Sequence, residues 1–151
     1  MRKATESHIF RGKTQNFSER EFYCKCARNC HAYNTHLGFI LRLQRARRIA
    51  RIPFLINRGC SCVAHNADVG GKSDSTHLVE VPGDAADIST DPNRLRKYGF
   101  QGTKAEIVGL IVPALLKVGF KRIGIYFGDE DLFIHVDDRD WNKNQAVIIW
   151  G

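Results

Sequence analysis

Arg122-Ile123-Gly124-Ile125-Tyr126-Phe127-Gly128-Asp129-Glu130-Asp131-Leu132-Phe133-Ile134-His135-Val136-Asp137 reads as two short strands around a polar turn. The Gly128 to Asp131 segment has the composition of a hairpin loop, and the flanks are rich in β-branched and aromatic residues. Alternation along the second strand puts Asp131, Phe133, His135 and Asp137 on one face and Leu132, Ile134 and Val136 on the other. One face of this hairpin is therefore apolar, and the other carries ionisable groups.

Upstream, the apolar positions Ile107, Leu110, Ile111, Leu115 and Val118 recur at helical spacing between Thr103 and Val118, with Gly119 as a stop and Pro113 as a point where the helix can kink. Leu37 to Ala50 has the same period in Leu37, Ile40, Leu41, Leu43 and Ile49. Ser18 with Glu21 three residues later is a capping-box signature, and Phe17 and Phe22 suit a hydrophobic staple. Phe54 to Asn57 and Ala85 to Ser89 read as short strands, and Cys62 to about Val69 as a helix that Gly70-Gly71 ends. Lys72 to Thr76 should be an exposed loop leading to His77, and Ala146 to Trp150 can add a last strand. The expected architecture is one α+β domain over residues 1–151, a small antiparallel sheet with flanking helices.

Composition narrows the function. The 151 residues are 43% hydrophobic and 26% charged, which excludes a disordered chain. The longest apolar run, Ile107 to Val118, is too short to span a bilayer and contains Pro113 and Lys117. Basic residues in Met1 to Gly12 are not followed by an apolar stretch, so no secretory signal is read there. The net charge of +7 suits polyanionic partners. Arg42, Arg45, Arg47, Arg48 and Arg51 carry much of it, and on a helix they read as a solvated surface. No nucleic-acid motif accompanies them, so nucleic acid is not the expected partner.

A catalytic zinc site takes three protein ligands from His, Asp, Glu or Cys and keeps a position for water. His135 is one candidate. Ser75-Thr76-His77, followed by Gly83-Asp84-Ala85-Ala86-Asp87-Ile88, supplies a loop histidine and a strand aspartate flanked by small residues. Each piece alone is weak, since a strand histidine is more often a hydrogen-bonding partner.

Taken together, Asn16-Phe17-Ser18 to Phe22, Ile56-Asn57, Cys62 to Asn66, Val69-Gly70-Gly71, Ser75-Thr76-His77, Gly83 to Ile88 and Phe133 to Asp137 follow an order that resembles the zinc D-Ala-D-Ala carboxypeptidases. These are peptidoglycan peptidases of the hedgehog/DD-peptidase fold, some of them phage endolysins. The resemblance implies one catalytic Zn2+ held by His77, Asp87 and His135. It also implies hydrolysis of D-amino-acid-containing peptides of bacterial peptidoglycan. The expected partner is that wall, met by a monomer whose apolar runs are too short for membrane insertion. A phage lysis or virion enzyme is compatible with the lack of a signal.

The chain departs from the family pattern in three places. His77 and Asp87 are ten residues apart where seven is usual, as if Val79 to Pro82 held an insertion that a surface loop absorbs cheaply. The arginine expected in the segment Arg58-Gly59-Cys60-Ser61-Cys62 is replaced by Ser61, and Arg58 is the substitute for binding substrate or oxyanion. The acid expected three residues before His135 is Leu132, so Asp131, then Glu130, is assigned as the general acid-base. Asp137 is read as a partner that orients a ligand or a neighbouring loop.

Five cysteines are too few and too odd in number for a disulfide framework. Small buried thiols or a single disulfide account for them. The alternative is a second, structural ion at Cys24, Cys26 and Cys30, with His31 nearby and Cys60 or Cys62 as a further ligand, although C-x-C is tighter than the usual C-x-x-C.

Overall fold

The computed structural model describes residues 7–126 and 128–151. Among the described residues, five strands form one sheet in the order β1-β2-β4-β3-β5: β1 (Ile56–Arg58), β2 (Ala85–Ser89), β3 (Arg122–Ile125), β4 (Phe133–Asp137) and β5 (Ile148–Trp150). Four α-helices among those residues accompany it: α1 (Leu37–Ala50), α2 (Val63–Asp68), α3 (Pro92–Arg96) and α4 (Lys104–Lys117). The α+β expectation therefore holds. Among the described residues, no helix is long and apolar enough to cross a membrane.

The sheet has an apolar face because the strands alternate. Ala86, Ile88, Ile123, Ile134 and Val136 are fully buried, and they share a core with Phe39, Ile40 and Leu43 of α1 and Ile107, Ile111 and Leu115 of α4. Burying each of the larger of these side chains, the isoleucines, leucines, valine and phenylalanine, is worth about 1.5–3 kcal/mol. Of the arginines on α1, Arg42 is turned inward: it pairs with Asp138 at 2.9 Å, and its guanidinium stacks on Phe120 and Trp141. The helix is thus not a uniformly solvated basic surface.

Local signals account for the element ends. Ser18 and Glu21 form the capping box of a short 3₁₀ turn, Glu19–Phe22, with Phe17 and Phe22 in edge contact. Thr103 accepts the Glu106 N–H and opens α4, and Gly119 closes that helix at φ 95. Two details differ from the sequence reading. Strand β5 runs parallel to β3, because it returns to the sheet edge after a crossing loop instead of a hairpin. Asp91-Pro92 starts the short helix α3, which the sequence reading left out; Asp91 caps it by accepting the Asn93 N–H. Phe127, expected at the end of β3, lies outside the described residues, as do residues 1–6 of the N-terminal stretch.

Register sets up the functional face. Directly opposed residues form a lateral row across all five strands: Arg58 beside Asp87, Asp87 beside His135, His135 beside Gly124, and Gly124 beside Trp150. Opposed residues share a face, so this row lies opposite the apolar one.

Candidate metal centre

Asp87 and His135 are neighbours by strand pairing. His77 reaches them from a loop that two backbone bonds hold to the segment after β1, Ser61 N–H to the His77 carbonyl at 2.8 Å and Val79 N–H to the Ser61 carbonyl at 3.2 Å. The residues Val79 to Pro82 form a surface turn closed by the Val81 N–H to Leu78 carbonyl bond, so the longer spacing between His77 and Asp87 is taken up without disturbing either ligand.

The tautomers follow from the outer partners. His77 Nδ1 lies 2.6 Å from the Gly59 carbonyl, which only accepts, so Nδ1 carries the proton and Nε2 offers a lone pair. His135 Nε2 lies 2.7 Å from Asp137 Oδ2, so its Nδ1 is the inward-facing atom. Those two nitrogens and Asp87 Oδ1 form a nearly equilateral triangle with edges of 3.1, 3.2 and 3.0 Å. Three acceptors facing one another repel unless a cation or protons lie between them.

The spacing fits a metal ion. Ligands of a tetrahedral ion bonded at about 2.0–2.1 Å are about 3.3–3.4 Å apart, within a few tenths of an ångström of the observed edges. The His77, Asp87 and His135 side chains are 3%, 11% and 13% exposed. The donors are thus dry but not sealed.

Electrostatics point the same way. Burial pushes the Asp87 carboxyl up, but His77 and His135 beside it overcome this and hold it well below the usual carboxylate range. Burial also opposes charge on His135. Its hydrogen bonds to Asp137 and Asp87 outweigh that, so with no ion bound its pKa rises to about 9. Asp137 is lowered despite burial, chiefly by its bond to His135, and Arg122 braces it at 2.8 Å. This fits the orienting part read for Asp137 from the sequence.

Arg58 sits beside Asp87 in the row, half-buried, with Nε on Ser61 Oγ at 2.9 Å and Nη2 on Asn66 Oδ1 at 2.7 Å. Ser61, which stands where an arginine was expected, helps hold the guanidinium that remains. Burial lowers the Arg58 pKa, with Asp87 and Cys24 acting against that shift. Glu130 and Asp131 are exposed in the loop that enters β4. Asp131 is tied there through its backbone, N–H to the Gly128 carbonyl and carbonyl to Lys104 Nζ.

Three contributors escaped the sequence reading. The Gly59 carbonyl sets the His77 tautomer, Arg122 braces Asp137, and the Trp150 ring lies 5.7 Å from that of His135. Trp150 gets there across Gly124, where an added Cβ would meet the indole at 2.9 Å. A glycine facing a tryptophan on a distant strand leaves no pattern along the chain.

Residues 15–137 match the peptidase M15 family, and with most of its length covered the chain belongs to that family. Membership makes it a metallopeptidase, and the His77, Asp87 and His135 group is a place where a metal can be held. No curated protein sequence matches the chain.

Proposed function

We propose that the protein is a zinc peptidase that hydrolyses amide bonds in the D-amino-acid-containing peptides of bacterial peptidoglycan. The observation that carries this reading is the convergence of His77 Nε2, Asp87 Oδ1 and His135 Nδ1 on one point at tetrahedral spacing. Two imidazoles and one carboxylate suit zinc. When bound, the ion polarises the scissile carbonyl and makes water an effective nucleophile near neutral pH.

The chain's own residues supply the rest. Asp137 and the Gly59 carbonyl fix the ring orientations, so the donors need little rearrangement. Arg58 offers a fixed positive charge beside Asp87 for the carbonyl oxygen as it gains charge. Asp131 is assigned to take a proton from the attacking water and return it to the leaving amine, with Glu130 as its substitute. The substrate class rests on the family resemblance, and the +7 net charge favours retention on an anionic wall. Wall attack from a phage lysis or virion particle belongs to the same proposal.

Purified peptidoglycan incubated with the zinc-loaded chain tests it. Mass spectrometry should show either a terminal residue removed or cross-linked fragments converted to monomers, which separates a carboxypeptidase from an endopeptidase. Asp131→Ala should slow turnover more than Glu130→Ala. Unchanged muropeptides from folded, zinc-loaded protein would instead favour a non-catalytic wall-binding or protein-binding module. One observation favours that rival: Glu130 and Asp131 are exposed in the loop that enters β4.

A further inference from the structure

The segment after the 3₁₀ turn brings together a second donor group that the proposed hydrolysis does not use. The Sγ atoms of Cys24, Cys26, Cys30 and Cys62 all lie within 4.8 Å of one another. Counted along the chain, Cys24-x-Cys26 is too tight for an ordinary zinc ribbon, and Cys62 is remote. Folding removes both objections, because Cys30 returns over a turn in which Asn29 and His31 have positive φ, and Cys62 arrives at the N-terminus of α2.

Each of the four sulfurs accepts a backbone N–H: Cys24 from Cys62 at 3.3 Å, Cys26 from Cys30 at 3.4 Å, Cys30 from Ala32 at 3.5 Å and Cys62 from His65 at 3.4 Å. Backbone N–H groups aimed at sulfur favour a metal-bound thiolate over a thiol, and here four of them surround sulfurs that meet in one cluster. Cys60 also accepts a backbone N–H, from Asn34 at 3.4 Å, but it is buried apart from the group and shares a hydrogen bond with the Thr35 hydroxyl at 3.3 Å, as expected of a packing cysteine, so the meeting of four sulfurs is what sets the cluster apart. A tetrahedral ion with metal–sulfur bonds of about 2.3 Å spaces its sulfurs at about 3.8 Å, compatible with the observed cluster after a small contraction.

We infer that Cys24, Cys26, Cys30 and Cys62 hold a structural divalent ion of the zinc type, distinct from the one at His77, Asp87 and His135. Binding replaces four S–H bonds by four metal–sulfur bonds and releases four protons to solvent, with no change in oxidation state. The ion ties the cysteine loop to the strap Gly59 to Cys62. That strap holds His77 at both ends, through the Gly59 carbonyl on Nδ1 and the Ser61 N–H on the His77 carbonyl.

Cobalt(II) added stoichiometrically to the full chain, with native-state alkylation followed by mass spectrometry, tests the inference. Two ions should bind per chain, one giving the intense near-ultraviolet thiolate-to-cobalt absorption. His135→Ala should keep that band, whereas Cys30→Ser should weaken it and raise the cobalt concentration needed to reach it, so failure of this site is distinguishable from failure of the peptidase centre. Cys30 is exposed, so in the wild-type chain it should resist iodoacetamide with metal present and react at least tenfold faster after chelation. Equal reactivity of Cys30 with and without metal, no thiolate band, or a disulfide between any two of the four would overturn the inference.

Discussion

The two donor clusters differ in how the fold makes them. His77, Asp87 and His135 stand on or against paired strands, where backbone register sets side-chain spacing before any ion arrives. The four cysteines stand on a loop and at a helix start, and their spacing depends on side chains meeting across irregular backbone. A sheet-borne site is preorganised, so its ion is mainly a chemical reagent. A loop-borne site gains order from its ion, which therefore acts on stability.

The contrast is broken most severely by deleting a ligand from each cluster. His135→Ala should lower peptide hydrolysis by about 10³-fold or more, since the catalytic ion loses a ligand, yet lower the melting temperature less than loss of a cysteine ligand does. Cys26→Ser should do the reverse: a fall of about 10 °C, corresponding to a few kcal/mol in a chain of this size, with residual turnover below that temperature. A kinetic assay and a thermal melt on both variants check the pair.

A finer test leaves the three ligands intact. Asp137→Asn keeps a partner for His135 but removes its charge, and metal affinity at the peptidase centre should fall about 10–100-fold in a competition titration with a chelating dye. Smaller and continuous is the pH response. The ion must displace the proton that His135 holds up to about pH 9, so affinity should rise about tenfold per pH unit from 7 to 8 and level off above 9. Stability of the metal-free chain should run the opposite way. The His135 pKa is raised on folding, so its contribution is complete below about pH 6.5, the unfolded value, and is lost as pH climbs through about 9. Melts in chelator at pH 6 and pH 9.5 read this directly.

Much of this was legible along the chain. Helical periodicity marked α1 from Leu37 to Ala50 and most of α4, and alternation in Phe133 to Asp137 put Ile134 and Val136 in the core and His135 on the other face. The residues His77, Asp87 and His135, singled out from short motifs, are brought within hydrogen-bonding distance of each other. What stayed hidden depends on contacts between segments. Trp150 over Gly124 requires knowing that β5 pairs parallel to β3, and the Gly59 carbonyl is backbone, which motif reading does not weigh. The cysteine group is hard to read along the chain for the same reason: Cys62 lies 32 positions after Cys30, and only folding brings the four sulfurs close.

Anomalous diffraction at the zinc edge from crystals of the zinc-loaded chain tests the central claim most directly. A peak should lie about 2.0–2.2 Å from each of His77 Nε2, Asp87 Oδ1 and His135 Nδ1. An ion-free triangle in crystals that hold zinc elsewhere, or an ion bound to only one of the three donors, would contradict it.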